Sequence, residues 1–150
     1  MGNFKPGEIG FRMKPEDYGI TKYKFNSDGT LDVFESVNLS YKNLKELPFK
    51  FGKVDGYFDC WENNLTSLKG SPKIVKGNFY CDNNNLTSFK YTPEEVNGDF
   101  YCNGVNLKSI EGLNLNGISG TIYVYHNPNL KLSEKEQLWV NLNPGKLVLK

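Results

Sequence analysis

The chain has one histidine, His126, and three cysteines, Cys60, Cys81 and Cys102, and so is poor in imidazole and thiol chemistry. None of them is spaced for it. No C-x-x-C pair exists, so a zinc knuckle is excluded. The cysteines are odd in number and hold equivalent places in repeated segments, which does not make a disulfide framework. They read as reduced thiols buried in a core, in a cytoplasmic compartment. His126 has no evident cysteine or serine partner, and neither a phosphate loop nor a paired-carboxylate motif is present. The expectation is therefore a protein that is not an enzyme, with no cofactor and no metal. Long apolar runs are missing too, which leaves no transmembrane span. The opening Met1-Gly2-Asn3-Phe4-Lys5-Pro6 lacks the apolar core of a secretory signal. Pro6 also stands where a myristoylation site would want Ser or Thr. A formal net charge of +1 over 150 residues gives no overall attraction to nucleic acid or to an anionic membrane.

What is present is repetition. The cysteines stand 21 residues apart, and their surroundings repeat with them: Gly56-Tyr57-Phe58-Asp59-Cys60, Gly77-Asn78-Phe79-Tyr80-Cys81 and Gly98-Asp99-Phe100-Tyr101-Cys102. Apolar columns run through the copies. Val33, Val54, Val75, Val96 and Ile118 form one; Val37, Phe58, Phe79, Phe100 and Ile122 form the next. Leu39, Cys60, Cys81, Cys102 and Val124 follow two residues later, and Leu44, Leu65, Leu86, Leu107 and Leu130 after a turn. Segments that repeat at this length cannot bury their apolar faces alone and must stack. The period of two within Gly-x-Phe-x-Cys predicts one short parallel strand per unit. Gly70, Pro72, Pro93 and Gly112 break the remainder into irregular or 3₁₀-like chain.

These segments resemble leucine-rich repeats, whose signature is L-x-x-L-x-L-x-x-N-x-L. Phe58, Cys60, Asn63 and Leu65 match its last four fixed positions, as do Phe79, Cys81, Asn84 and Leu86. Two features depart from it. The first leucine is replaced by Asp55, Lys76 or Asn97, with the apolar residue one position earlier. The asparagine is replaced by Lys42 and Val105 in two units, while the neighbouring column Asn43, Asn64, Asn85 and Asn106 is unbroken. The amide's task is to bond open backbone groups between units, and either column has the chemistry for it. The resemblance implies a β-rich repeat solenoid of about five coils of 21–22 residues. The variant signature, with Gly-x-Phe-Tyr-Cys and Leu-Thr-Ser-Leu, is similar to short repeat proteins encoded by bacteriophages.

The chain is expected to be a single domain over 1–150. Residues 1–19 read as an arm and 20–34 as an N-terminal hairpin cap around Asn26-Ser27-Asp28-Gly29. Residues 33–132 carry the repeats and 133–150 a C-terminal cap. In that cap Ser133 and Glu136 read as a capping box opening a short helix, with Leu138, Val140 and Leu142 as its apolar contacts.

Side chains that alternate with the buried Phe and Cys face outward. They include Tyr57, Asp59 and Trp61, then Tyr80 and Asp82, then Asp99 and Tyr101, then Tyr123 and Tyr125. Exposed aromatics in a continuous patch mark interaction surfaces. Cross-strand packing alone also favours tyrosine on strands. The three aspartates read as solvated charge, and truncating the tyrosines is expected to leave stability nearly unchanged. Lys45, Lys50, Lys53, Lys69, Lys73, Lys90 and Lys108 lie toward the turn side, as solvated lysine rather than a nucleic-acid patch. The functional expectation is a protein-binding module. With the phage resemblance, the partner is a host protein and the action is inhibition of a host process or defence system, in the host cytoplasm. The alternative is a carbohydrate-binding or adhesive protein using the same face.

Overall fold

The computed structural model describes residues 13–150. In chain order its strands are β1 (Tyr23–Phe25), β2 (Leu31–Val33), β3 (Val37–Asn38), β4 (Phe51–Val54), β5 (Phe58–Asp59) and β6 (Ile74–Val75). They continue with β7 (Phe79–Tyr80), β8 (Glu95–Val96), β9 (Phe100–Tyr101) and β10 (Ile122–Tyr123). Helix α1 (Glu134–Leu142) and β11 (Leu147–Val148) complete the chain. Two sheets result. The first has the order β1-β2-β4-β6-β8 and the second β11-β10-β9-β7-β5-β3. Every pairing is parallel except that of β1 with β2.

Each of the units around Cys60, Cys81 and Cys102 thus contributes two strands, not the one expected. The second strand accounts for a departure noted above. Val54, Val75 and Val96 end the strands of the first sheet and pair with one another in register, and Val96 bridges to Ile118. The chain then bends through Gly56, Gly77 or Gly98 and enters the second sheet at Phe58, Phe79 or Phe100. The bend leaves no room for a side chain. A Cβ on Gly77 would lie 2.8 Å from the Tyr57 amide nitrogen and 2.9 Å from the Gly56 carbonyl carbon. Glycine lets neighbouring units approach backbone to backbone.

The core lies between the sheets. Val37, Phe58, Phe79, Phe100 and Ile122 are completely buried, as are Leu39, Cys60, Cys81, Cys102 and Val124. Phe58, Phe79 and Phe100 stack face to face, with centroids 5.6 and 5.3 Å apart. The three thiols are free. Cys60 and Cys81 point their Sγ at the Tyr80 and Tyr101 carbonyls, at 3.2 and 3.3 Å. Burial pushes both of these thiols well above their usual range, so neither is a ready thiolate.

The asparagine question has a definite answer. Asn63, Asn84 and Asn127 are the buried column. Asn63 Nδ2 donates to the Leu39 carbonyl at 2.8 Å, and its Oδ1 accepts from Leu44 N–H at 2.9 Å. Asn84 repeats this with the Cys60 carbonyl and Leu65 N–H, and Asn127 with the Cys102 carbonyl and Leu107 N–H. Each amide thereby closes backbone groups of the preceding unit. Asn43, Asn64, Asn85 and Asn106 are exposed. In the two units without the buried amide, Asn43 and Asn106 take left-handed φ of 55° and 62°, which Asn64 and Asn85 do not. Asparagine tolerates that conformation better than most residues. The Lys42 and Val105 amides then join those of Leu44 and Leu107 on the Oδ1 of the next buried asparagine.

At the N-terminal end β1 and β2 form the expected hairpin, with Asn26 N–H bonded to Thr30 O at 2.8 Å. Of the expected arm, 1–12 lies outside the described residues. Residues Pro15–Tyr18 form a 3₁₀ turn. Tyr18 packs edge-on against Phe49, and Ile20 is buried. At the C-terminal end the Ser133–Glu136 capping box is present, with Ser133 N–H bonded to Glu136 Oε2 at 2.7 Å and Glu136 N–H to Ser133 Oγ at 3.2 Å. The apolar contact of α1 differs from expectation: Leu138 and Leu142 are exposed, and Trp139 packs on the core instead. Trp139 is anchored by its indole N–H, which donates to Asn116 Oδ1 at 2.9 Å. No described helix is long and apolar enough to cross a membrane.

Candidate functional site

The outward face of the second sheet is built from three columns set by the strand register. Asn38, Asp59, Tyr80, Tyr101 and Tyr123 pair in sequence along its centre. Two residues before them stand Ser36, Tyr57, Asn78, Asp99 and Thr121. Two residues after them stand Ser40, Trp61, Asp82, Asn103 and Tyr125.

Tyr80, Tyr101 and Tyr123 stack like coins, with centroids 4.8 and 4.6 Å apart and planes within 15° and 6° of parallel. Tyr57 meets Tyr80 edge-on at 6.4 Å, and Tyr125 meets Tyr123 likewise at 6.4 Å. Five of the expected site residues, Tyr57, Tyr80, Tyr101, Tyr123 and Tyr125, therefore form one continuous run of rings. Trp61 stands apart from this run. It is 37% exposed and contacts Tyr41, 65% exposed, with centroids 5.1 Å apart. Tyr41 is a site residue that sequence reasoning missed. His126, edge-on to Tyr125 at 5.0 Å, extends the patch at its far corner.

The aspartates depart from the expectation of solvated charge. Asp99 Oδ1 accepts the Thr121 backbone N–H at 2.7 Å, and its Oδ2 accepts the Tyr101 hydroxyl at 3.3 Å. Asp82 Oδ1 accepts both the backbone N–H and the side-chain amide of Asn103, at 2.9 and 2.6 Å. Asp59 Oδ1 accepts Trp61 N–H at 2.9 Å. Ser36, Asn78 and Asn103 act similarly for the amides of Tyr57, Asp99 and Tyr125. These short polar side chains satisfy strand-flanking N–H groups that the ladder leaves open.

Burial raises the Asp59 and Asp82 carboxyls above the usual range, because desolvation outweighs the hydrogen bonds they accept. Burial and the adjacent Asp99 carboxylate push the Tyr101 hydroxyl up to about 12. Among the described residues no lysine nitrogen comes within ion-pair distance of Asp59, Asp82 or Asp99; the ion pairs are Lys53–Asp55 and Lys76–Glu95. Lys53 belongs to strand β4 of the first sheet, off the outward face of the second.

Compared with family models, with curated proteins and with solved structures, the chain matches none. The geometry alone therefore carries the reading. The three columns form a sheet face rather than a pocket. A separate groove of about 810 Å³ runs between α1 and the 109–116 segment, walled by Trp139, Leu113 and Lys135, and takes no residue from this face. A sheet face that presents rings and acceptors suits a macromolecular surface better than a small enclosed ligand.

Proposed function

We propose that the chain is a leucine-rich-repeat-like solenoid of about five coils that acts, without catalysis, as a protein-binding module. The binding surface is the outward face of the second sheet. The observation that carries this reading is the unbroken run of rings from Tyr57 to Tyr125, on the side of the sheet opposite the core. Burial of the core does not require aromatic residues there, whereas interaction surfaces are enriched in tyrosine and tryptophan. The solenoid reading is supported by the parallel register of successive units in both sheets and by the buried asparagine column. The resemblance to bacteriophage repeat proteins supplies the kind of partner: a host protein, inhibited in the host cytoplasm by occlusion.

A carbohydrate ligand is less well supported. Sugars stack on open ring faces, and both faces of Tyr101 are covered by Tyr80 and Tyr123. The test is affinity capture from bacterial host lysate on the immobilised full chain. Trp61→Ala and Tyr101→Ala should each weaken capture by about 2 kcal/mol or more, if hot-spot behaviour holds. Lys69→Ala and Lys90→Ala should not affect it. Capture that survives the ring truncations but not the lysine changes would move the site to the turn side. Binding on a glycan array that the same ring truncations abolish would favour the sugar.

A further inference from the structure

The three columns of the strand face, from β3 to β10, hold Asp59, Asp82 and Asp99 and not one lysine or arginine. The chain has 18 Lys and Arg residues against 17 Asp and Glu, so this segregation is not a consequence of composition. Lysine enters the face only at its far edge, where Lys146 lies opposite Thr121 and Lys150 beyond Val148. Lys146 Nζ is committed to backbone carbonyls, at 2.7 Å from Gly120 O. Over β5, β7 and β9 the charged groups are all acceptors. Asp59 and Asp82 each use a single carboxylate oxygen within the fold. Their second oxygens have no partner among the described residues. The Tyr80 hydroxyl accepts from Asn78 Nδ2 at 2.8 Å, which leaves its own proton to rotate.

Resting on the strand-face reading above, we propose that the occupant is a cationic, extended segment of a partner protein, presenting arginine or lysine over Asp59, Asp82 and Asp99. The rings contribute apolar area along the chain of that segment, and the carboxylates contribute its charge recognition. A guanidinium suits the site best, because its several donors can take a free carboxylate oxygen and a phenolic oxygen together. Half-buried carboxylates without a counter-charge carry an unfavourable desolvation that an incoming cation relieves. An anionic partner meets the reverse: like charge across a partly desolvated face, which is repelled. Stacking closes most of the ring faces, so the cation is held by oxygen atoms rather than over a ring.

The probe is a fluorescein-labelled eight-residue peptide alternating glycine and arginine, compared with glutamate and serine counterparts. Each is titrated with the full chain by anisotropy at low and at raised salt. The arginine peptide should bind saturably, and the other two should bind at least about tenfold more weakly. The double variant Asp59→Asn, Asp82→Asn should lose about tenfold in affinity, and raised salt should do the same. Glu95→Gln, on the first sheet, should change nothing. Asparagine can keep the hydrogen bonds to Trp61 and Asn103, and a thermal melt checks that the variant is folded. If it is not, the comparison of the three peptides on the unmodified chain still decides. No saturable binding by the arginine peptide, equal binding of all three, or indifference to the double variant would overturn the proposal. The strand-face reading fails separately: it falls if Tyr101→Ala leaves capture of the host partner intact. It stands, without the charge inference, if Tyr101→Ala abolishes capture while the aspartate variant does not.

Discussion

Phe58, Phe79 and Phe100 stack on the inner side of β5, β7 and β9. Tyr80, Tyr101 and Tyr123 stack on the outer side of β7, β9 and β10. Both ladders have the same origin. Parallel units in register bring equivalent residues to the spacing of neighbouring strands, about 4.8 Å, and a planar side chain in that position must stack. The inner ladder is completely buried and shares its space with the thiols and leucines. The outer one is only partly covered, is shifted by one unit toward the C-terminus, and ends at Asp59. Identical geometry therefore serves two ends. Inside, removal from water drives the stacking. Outside, the backbone imposes it, and burial in the core does not account for the choice of tyrosine.

The largest effect should come from the inner ladder. Phe79→Ala removes a buried ring between two others and should cost about 3–5 kcal/mol in urea unfolding. The outer counterpart, Tyr101→Ala, loses two stacked contacts worth about 0.5–1.5 kcal/mol each. Partial exposure of the ring brings the expected loss to about 1–2 kcal/mol. That is more than the near-neutral outcome expected of side chains outside the core, because the stack that the register imposes also holds neighbouring strands together. If Tyr101→Ala cost as much as Phe79→Ala, the outer ladder would be a second core element and the contrast would fail.

A second contrast lies between adjacent asparagines. Asn84→Ala strands the Leu65 amide and the Cys81 carbonyl, at about 1–3 kcal/mol for each group left unsatisfied, while the Cys60 carbonyl keeps its bond from Asn63 Nδ2. Asn85→Ala, one residue on and exposed, should stay within about 0.5 kcal/mol. Equal effects from the two would mean that the buried amide is replaceable by water or by a shift of the turn.

The repeat made the strand centres legible. Val37, Phe58, Phe79, Phe100 and Ile122 all begin strands of the second sheet, because a buried column at constant spacing has one physical solution. Beyond the hairpin strands β1 and β2, the first-sheet strands were not legible. Ile74–Val75 and Glu95–Val96 bury one residue each, so no alternation registers there, whereas Phe-x-Cys in the second sheet shows two buried residues at period two. Choosing between two asparagine columns was impossible for a different reason. Both carry the same amide, and only the path of the turn decides which points inward. Tyr41 escaped notice because its contact with Trp61 occurs where the backbone takes a left-handed φ of 55°, a conformation that no sequence period announces for tyrosine. The nine expected site residues do share one face; Tyr80, Tyr101 and Tyr123 stack on it as a stripe, and Trp61 packs apart from them, on Tyr41.

Tyr91 gives the next and smaller test. It occupies the position held by Gly70 and Gly112 in neighbouring units, and like them it has positive φ, at 68°. A bulky L-residue there is strained by about 1–2 kcal/mol. Glycine loses about 0.5–1 kcal/mol more chain entropy on folding. Tyr91→Gly should thus stabilise the fold by about 0.5–1 kcal/mol, seen as a small rise in melting temperature. A fall would show that the exposed ring, with Lys90 Nζ 5.0 Å from its centroid, makes a contact that outweighs the strain.

The smallest expected effect separates the outer face from the rest of the molecule by its dependence on pH. Asp59 and Asp82 have folded-state carboxyls raised above the ordinary value by desolvation, and the charge of Asp59 adds slightly to the rise at Asp82. The hydrogen bonds from Trp61 and Asn103 oppose the shift without cancelling it. A raised carboxyl pKa means that the folded state holds its proton more tightly than the unfolded chain does. Its contribution to stability is fully present below the unfolded value, about 3.9, and is lost as pH rises through the folded value. Glu35 and Asp28, at the hairpin, have the opposite sign. Backbone N–H groups of Thr21 and Lys22 lower Glu35, and Thr30 lowers Asp28, so their contributions appear above the unfolded value and are lost in acid. Whole-protein stability mixes the two kinds. The difference between the unmodified chain and the Asp59→Asn, Asp82→Asn variant isolates the first. Its melting temperature should be slightly higher than that of the unmodified chain at pH 7, and the gap should close as pH falls below about 4, where both chains are neutral at these positions. A gap of the opposite sign at neutral pH would mean that the ionised carboxylates are already compensated within the fold. The face would then have no need of a cation from outside.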